Sequence, residues 1–200
     1  MARVASIRDE DILAAARRVF LARGILATTA EVAADAGVSE ALVFKRFRTK
    51  ANLFRRALEA GFEASPWQRA LTERVGQGDV RDELAVAALE AIRFLRVILP
   101  LTMMAWSNPG PSGLPEIFTE PNPPPLRALG QLTAYLEAEM AIGRIRPQDA
   151  DIVARTLAGA VFHYVYFESI FRAQQLLPVP EESFVRGLVE LLWPGLAPRP

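Results

Sequence analysis

Apolar residues recur at three- and four-residue spacing along most of this 200-residue chain. That is the spacing of one face of an α-helix. The first such stretch runs from about Ser6 to Ala22 and ends near Gly24. A second begins at Thr28, where Thr28 and Glu31 are spaced as a capping box. Val32, Ala33 and Ala36 form its small apolar face, and Gly37 supplies the left-handed backbone of a tight turn. Ser39 is a natural N-cap for a third helix, Glu40 to Phe47. Val43 and Phe47 fall on one side of it. Ala41, Leu42 and Lys45 fall on the other, flanked by Glu40 and Phe44.

The pattern continues in longer elements. Lys50 to Phe62 is predicted as a connecting helix, and Pro66 to Val75 is short and ambiguous. Asp82 to Trp106 carries Leu84, Ala88, Ile92, Leu95 and Leu99 at helical spacing, with Pro100 expected to kink or break it. Seven of the chain's 15 prolines lie between Pro109 and Pro125, which predicts a loop. Leu126 to Ile142 is the next helix, stopped at Gly143. Pro147 opens another, which reaches about Leu177 and is broken by Pro178 and Pro180. Glu181 to Leu192 is the last. No strand-rich region and no repeat interrupts this, so the fold class is all-α: an N-terminal three-helix helix-turn-helix domain followed by a larger helical domain. The predicted boundaries are 1–62, including the connecting helix, and 63–200.

Charge sharpens the picture. Lys45 and Arg46 close the third helix and Arg48, Lys50, Arg55 and Arg56 follow it, with no acid between Lys45 and Arg56. Whole-chain charge hides the cluster, because 23 basic and 23 acidic residues cancel. Residues 1–62 carry 11 basic and 7 acidic side chains, and the remainder 12 and 16. The N-terminal part is therefore net +4 and the rest net −4. A positive cluster directly after a helix-turn-helix pattern points to DNA, whose phosphates supply much of the binding affinity. A small residue and a bare Leu on the outer face of the third helix suit entry into a major groove.

Residues 8–60 resemble the DNA-binding domain of the tetracycline-repressor (TetR) family of bacterial regulators. The matching residues are Ile12-Leu13-Ala14-Ala15-Ala16, Phe20, Gly24, Thr28, Ala33, Ala36-Gly37-Val38-Ser39, Phe47, Lys50 and Leu53. The resemblance implies a homodimer that binds a roughly palindromic double-stranded operator, usually as a repressor released by a small ligand. It implies DNA contacts from Thr28, Thr29, Ser39, Glu40, Ala41, Leu42, Phe44, Lys45, Arg46 and Lys50. The chain departs from the family pattern in three places. Phe44 stands where a Tyr is usual, Glu40 where Lys is frequent, and Ala41-Leu42 where Gly-Thr is common.

The resemblance also implies that the last two long helices of each subunit build a four-helix dimer interface. Ala158 lies among small residues that permit close helix approach, and Phe184, Leu188, Leu191 and Leu192 form a matching stripe. The plainer alternative is that both helices are core. For a small-molecule effector the candidate contacts are Phe94, Met103, Trp106, Tyr135, Phe162 and Tyr166, since pockets between bundle helices are lined by large apolar side chains. A second functional reading is a DNA-binding dimer whose C-terminal domain serves only dimerisation or protein contacts.

Composition removes other classes. With no cysteine there is no disulfide, thiol sensor or Cys-ligated zinc. His163 is the only histidine, so no multi-His metal site forms and no cofactor is expected. No nucleophile motif, P-loop or dinucleotide glycine pattern is present, and no catalytic residue is assigned. The N-terminus lacks an apolar leader and no apolar run reaches membrane-span length, so the expectation is a cytoplasmic protein with no membrane contact.

Overall fold

A computed structural model describes residues 7–63, 71–107 and 113–198. Every regular element among them is helical. The helices divide between two compact units, one made of 1–64 with 97–121 and the other of 65–96 with 122–200.

In the first unit α1 spans Asp9–Arg23, with three acids in its first turn, where they oppose the positive end of the helix dipole. Ile12, Leu13, Ala15, Ala16 and Phe20 bury its inner face. Gly24, at φ 61°, ends the helix and opens a 3₁₀ turn, Gly24–Leu26. The helix α2, Thr29–Ala36, is capped reciprocally: the Thr28 hydroxyl accepts from the Glu31 N–H at 3.2 Å, and the Glu31 carboxylate accepts from the Thr28 N–H at 2.9 Å. Hydrogen bonds from the Thr28 N–H and hydroxyl hold the Glu31 carboxyl below its ordinary pKa. Gly37 sits in the left-handed region at φ 68°, which lets the Val38 N–H reach the Ala33 carbonyl at 2.9 Å.

Next, α3 spans Glu40–Phe47, capped by Ser39, and buries Val43 and Phe47. Then α4, Lys50–Glu63, buries Leu53, Ala57, Leu58 and Phe62. Gly61 of α4 faces Ile98, and an added Cβ there would lie 2.7 Å from the Ile98 Cδ1.

Ile98 belongs to α5, Val80–Trp106, which runs unbroken through Pro100. The predicted break at Pro100 is absent. Proline removes one backbone donor at a cost of about 3 kcal/mol, and Ile98, Leu99, Leu101 and Ala105 around it are all buried. Burial of about 1.5–3 kcal/mol for each large side chain outweighs that loss. A second 3₁₀ turn, Glu116–Phe118, lies in the proline-rich stretch. The part of that stretch at 108–112, the segment 64–70 with Pro66, and residues 1–6 lie outside the described residues.

In the second unit α6 spans Pro124–Ala141, α7 Ala150–Phe171, α8 Ala173–Leu176 and α9 Glu181–Leu196. Four of these bounds correct the sequence reading. Pro124 opens α6 two residues before the predicted start, because a first-turn N–H has no helical partner to lose. The long helix predicted over 147–177 starts at Ala150, capped by Asp149, and ends where Arg172 turns left-handed at φ 51°. The last helix also continues past Leu192 through Pro194 to Leu196.

The core of this unit gathers Leu84, Ala87, Leu132, Leu136, Ile145, Val153, Leu157 and Val189. Fully buried Glu139 accepts the Gly76 N–H at 2.9 Å and faces the Arg144 Nε at 3.3 Å. Arg144 in turn donates to the carbonyls of Gln77 and Gly78, at 2.6 and 2.7 Å. A second polar cluster joins α5, α7 and α9, where Arg96 pairs with Glu168 at 3.0 Å and with Glu181. Burial pulls the Glu168 carboxyl upward, but hydrogen bonds from Arg96, Gln174 and Tyr164 outweigh it and leave its pKa below the ordinary value.

Among the described residues no helix is long and apolar enough to cross a membrane. No three metal-ligating side chains gather among them either.

Candidate nucleic-acid interface

The two helices α2 and α3 flank the Gly37 turn with buried faces inward and a polar edge outward. Thr28, Ser39, Glu40, Ala41, Phe44, Lys45 and Lys50 are exposed, and Thr29, Leu42 and Arg46 are half-buried. Phe44 is 62% exposed, so it is largely uncovered among the described residues. An aromatic ring left in water at the centre of a helix face is available to a partner.

The Glu40 carboxylate keeps its charge but is held in place. Its carboxylate accepts the Thr29 hydroxyl at 2.6 Å and joins the N-terminal ends of α2 and α3. Lys45 and Arg48 are exposed and pair with no carboxylate among the described residues. The Lys50 ammonium donates to the Ile25 carbonyl at 2.7 Å, which fixes it beside the 3₁₀ turn. Arg46 is placed differently from the rest. It donates to the Ile7 carbonyl at 2.8 Å and to the Asp9 carboxylate at 2.7 Å. Its charge is already matched at the start of α1.

One arrangement was not legible in the sequence. Arg48 adopts φ 67° and ψ −48°, and the Thr49 N–H reaches the Phe47 carbonyl at 2.7 Å. That is a γ-turn, a three-residue reversal rarely held by a residue with a side chain. The Asn52 amide also donates to the Phe47 carbonyl, at 2.8 Å, and the Thr49 hydroxyl caps the Asn52 N–H at 3.1 Å. The joint sets the angle between α3 and α4 and projects Arg48 from it. The only sequence signal was the cation-rich run itself.

This face, built of a capped helix, a left-handed glycine turn and a second capped helix with unpaired cations at its end, is matched by a known family. Residues 12–57 fit the profile of the bacterial regulatory proteins of the tetR family. Residues 12–57 are thus a tetR-family N-terminal domain. No curated protein matches the chain.

Solved structures of transcriptional regulators have a similar fold. The TetR transcriptional regulator of Streptomyces coelicolor is similar at TM-score 0.64 and 20% identity, over 96% of this chain and 100% of that one. FadR of Bacillus subtilis, solved with stearoyl-CoA, is similar at TM-score 0.67 and 16% identity, over 92% and 97%. A candidate transcriptional regulator of Saccharomonospora viridis, solved with choline, is similar at TM-score 0.72 and 18% identity, over 96% and 98%.

The candidate effector residues are divided between the two units. In the first unit Met103 is half-buried, and Trp106 is half-exposed with its ring stacked 6.0 Å from Phe118. In the second unit Phe94 packs on the core, and Tyr135 is 2% exposed. Burial, then the charge of Glu139, raises the Tyr135 phenol above its ordinary pKa. Phe162 and Tyr166 stack on each other at 6.0 Å on α7.

The candidate interface residues separate too. Phe184 stacks on Tyr164 at 4.3 Å, and Ala158, Leu188 and Leu192 pack against the core of their own unit. Leu191, by contrast, is 77% exposed. The outer face of α7 adds a stripe of exposed residues the sequence reading had not separated: Ile152, Thr156, Gly159, His163, Phe167 and Ile170.

Proposed function

We propose that this tetR-family regulator is a transcriptional repressor that binds a near-palindromic operator as a homodimer and leaves it when a small apolar or aromatic effector binds. The observation that carries the DNA reading is the set of cations at the end of α3. Lys45, Arg48 and Lys50 are exposed and lack carboxylate partners among the described residues, and the one acid of α3, Glu40, is engaged by Thr29.

Cations in this setting contact phosphates, while Glu40, Ala41 and Leu42 at the start of α3 meet base edges. Homodimerisation supplies a second reading head for the other half-site. The half-exposed aromatic side chains, and the ligands bound to similar regulators, support a small effector.

Salt titration of DNA binding tests the reading. Lys50→Ala weakens binding to all sequences alike and lowers the slope of log K against log salt by about one unit, the counterion released by one phosphate contact. Ala41→Ser changes operator preference at an unchanged slope. An unchanged slope for Lys50→Ala removes Lys50 from the phosphate contacts.

A further inference from the structure

The first unit contains a cleft of about 780 Å³ between α4, the last turn of α5 and the second 3₁₀ turn. Its size is that of a small-molecule site, roughly 300–1,000 Å³. We propose that it binds a monoanionic small molecule with an apolar, aromatic body, whose carboxylate is held by Lys50.

Charge decides the sign of the ligand. Lys50 lines the cleft and spends one of its three protons on the Ile25 carbonyl. No carboxylate among the described residues pairs with it. Arg55 also lines the cleft, but it is compensated by Glu59 and by Glu116 at 3.4 Å, and it donates to the Asn52 side chain at 2.8 Å. Arg56 lies 3.8 Å from Glu59. Three cations therefore stand against two acids, and the uncompensated charge is the one on Lys50. A single anion balances it. A dianion would exceed it, and a cation would meet an unfavourable field.

The walls decide the body of the ligand. Ile25 is 66% exposed at the mouth of the cleft, and Phe54 and Met104 are half-buried along it. Covering Ile25 removes apolar surface from water. A flat ring suits the Phe54 ring and the Met104 thioether, since both favour aromatic neighbours.

The consequence rests on the DNA reading given above. If Lys50 binds an operator phosphate, a carboxylate in the cleft competes for the same ammonium group. Release of DNA then needs no movement of one unit against another.

The test uses the full chain and the probe 2-naphthoate, with the neutral 2-naphthamide as its isostere, by calorimetry without DNA. Naphthoate binds about tenfold more tightly than the amide, the scale of one charge-assisted hydrogen bond. Lys50→Gln removes that advantage, so that acid and amide bind alike, while Lys50→Arg retains it. Met104→Glu abolishes naphthoate binding by placing an anion in the cleft. Equal affinity for acid and amide, an unaltered naphthoate affinity in Lys50→Gln, or no binding of naphthoate at all overturns the site. Adding DNA separates the two readings. Naphthoate that binds with the Lys50 dependence but does not displace DNA overturns the competition and leaves the site standing. A chain that binds naphthoate in this way but binds no DNA without it overturns the repressor reading alone.

Discussion

Arg48 is the residue at which local geometry and charge conflict most directly. A positive φ of 67° is rare for a side chain with a Cβ, and a γ-turn at such a residue stores roughly 1–3 kcal/mol. Thr49, Asn52 and Phe47 hold it there through three hydrogen bonds. Arg48→Gly releases the strain but gives the unfolded chain more freedom, a loss of about 1 kcal/mol. The expected net gain is about 1 kcal/mol, read as a melting temperature about 2–4 °C higher by circular dichroism. Arg48→Ala removes the same charge without relieving φ, so it shows no gain. A rise in both variants would assign the effect to charge.

The helices α4 and α5 illustrate what glycine position does at the scale of an element. A Cβ at Gly61 would lie 2.7 Å from the Ile98 Cδ1 and 3.2 Å from the Arg17 Cδ, between two neighbouring helices. Gly130, on α6, has nothing within 4 Å of the same position. Both glycines weaken their helices by about 1 kcal/mol relative to Ala. Gly61→Leu overpacks the contact and destabilises by about 1–3 kcal/mol, whereas Gly130→Ala stabilises by up to about 1 kcal/mol. Urea unfolding of the two variants reads both signs. A Gly61→Leu chain as stable as the parent would mean that α4 and α5 separate at no cost.

At the scale of the whole molecule the proposal is a dimer through α7 and α9, and the choice of residue decides whether the test is clean. Phe184 stacks on Tyr164 of its own chain, so a charge there damages the fold as well as any interface. Burial, then a hydrogen bond to Glu168, pushes the Tyr164 phenol up to about 12. Leu191 is 77% exposed and contributes little to its own unit. Leu191→Arg is expected to keep its helical circular dichroism while light scattering falls from twice the chain mass to the 22.0 kDa of one chain. A dimer that survives Leu191→Arg places the interface elsewhere.

The sequence by itself determined the parts governed by short-range rules. The capping box of Thr28 and Glu31, the Gly37 turn and the Ser39 cap each lie within a few residues, so spacing alone specified α2, α3 and their turn. The all-α class followed equally from the period of apolar residues. Tertiary structure decided what depends on distant partners. Pro100 stays inside its helix because burial outweighs one missing hydrogen bond, and burial is a property of packed neighbours. Arg46 and Lys50 look alike in the basic run, yet Arg46 is matched by Asp9, 37 residues away, while Lys50 meets only the Ile25 carbonyl. Phe184 and Leu191 share one apolar stripe in the sequence, and only packing separates the half-buried one, stacked on Tyr164, from the one left in water. Periodicity names the face a residue is on; which other chain atoms cover that face is fixed by long-range contacts that no local pattern encodes.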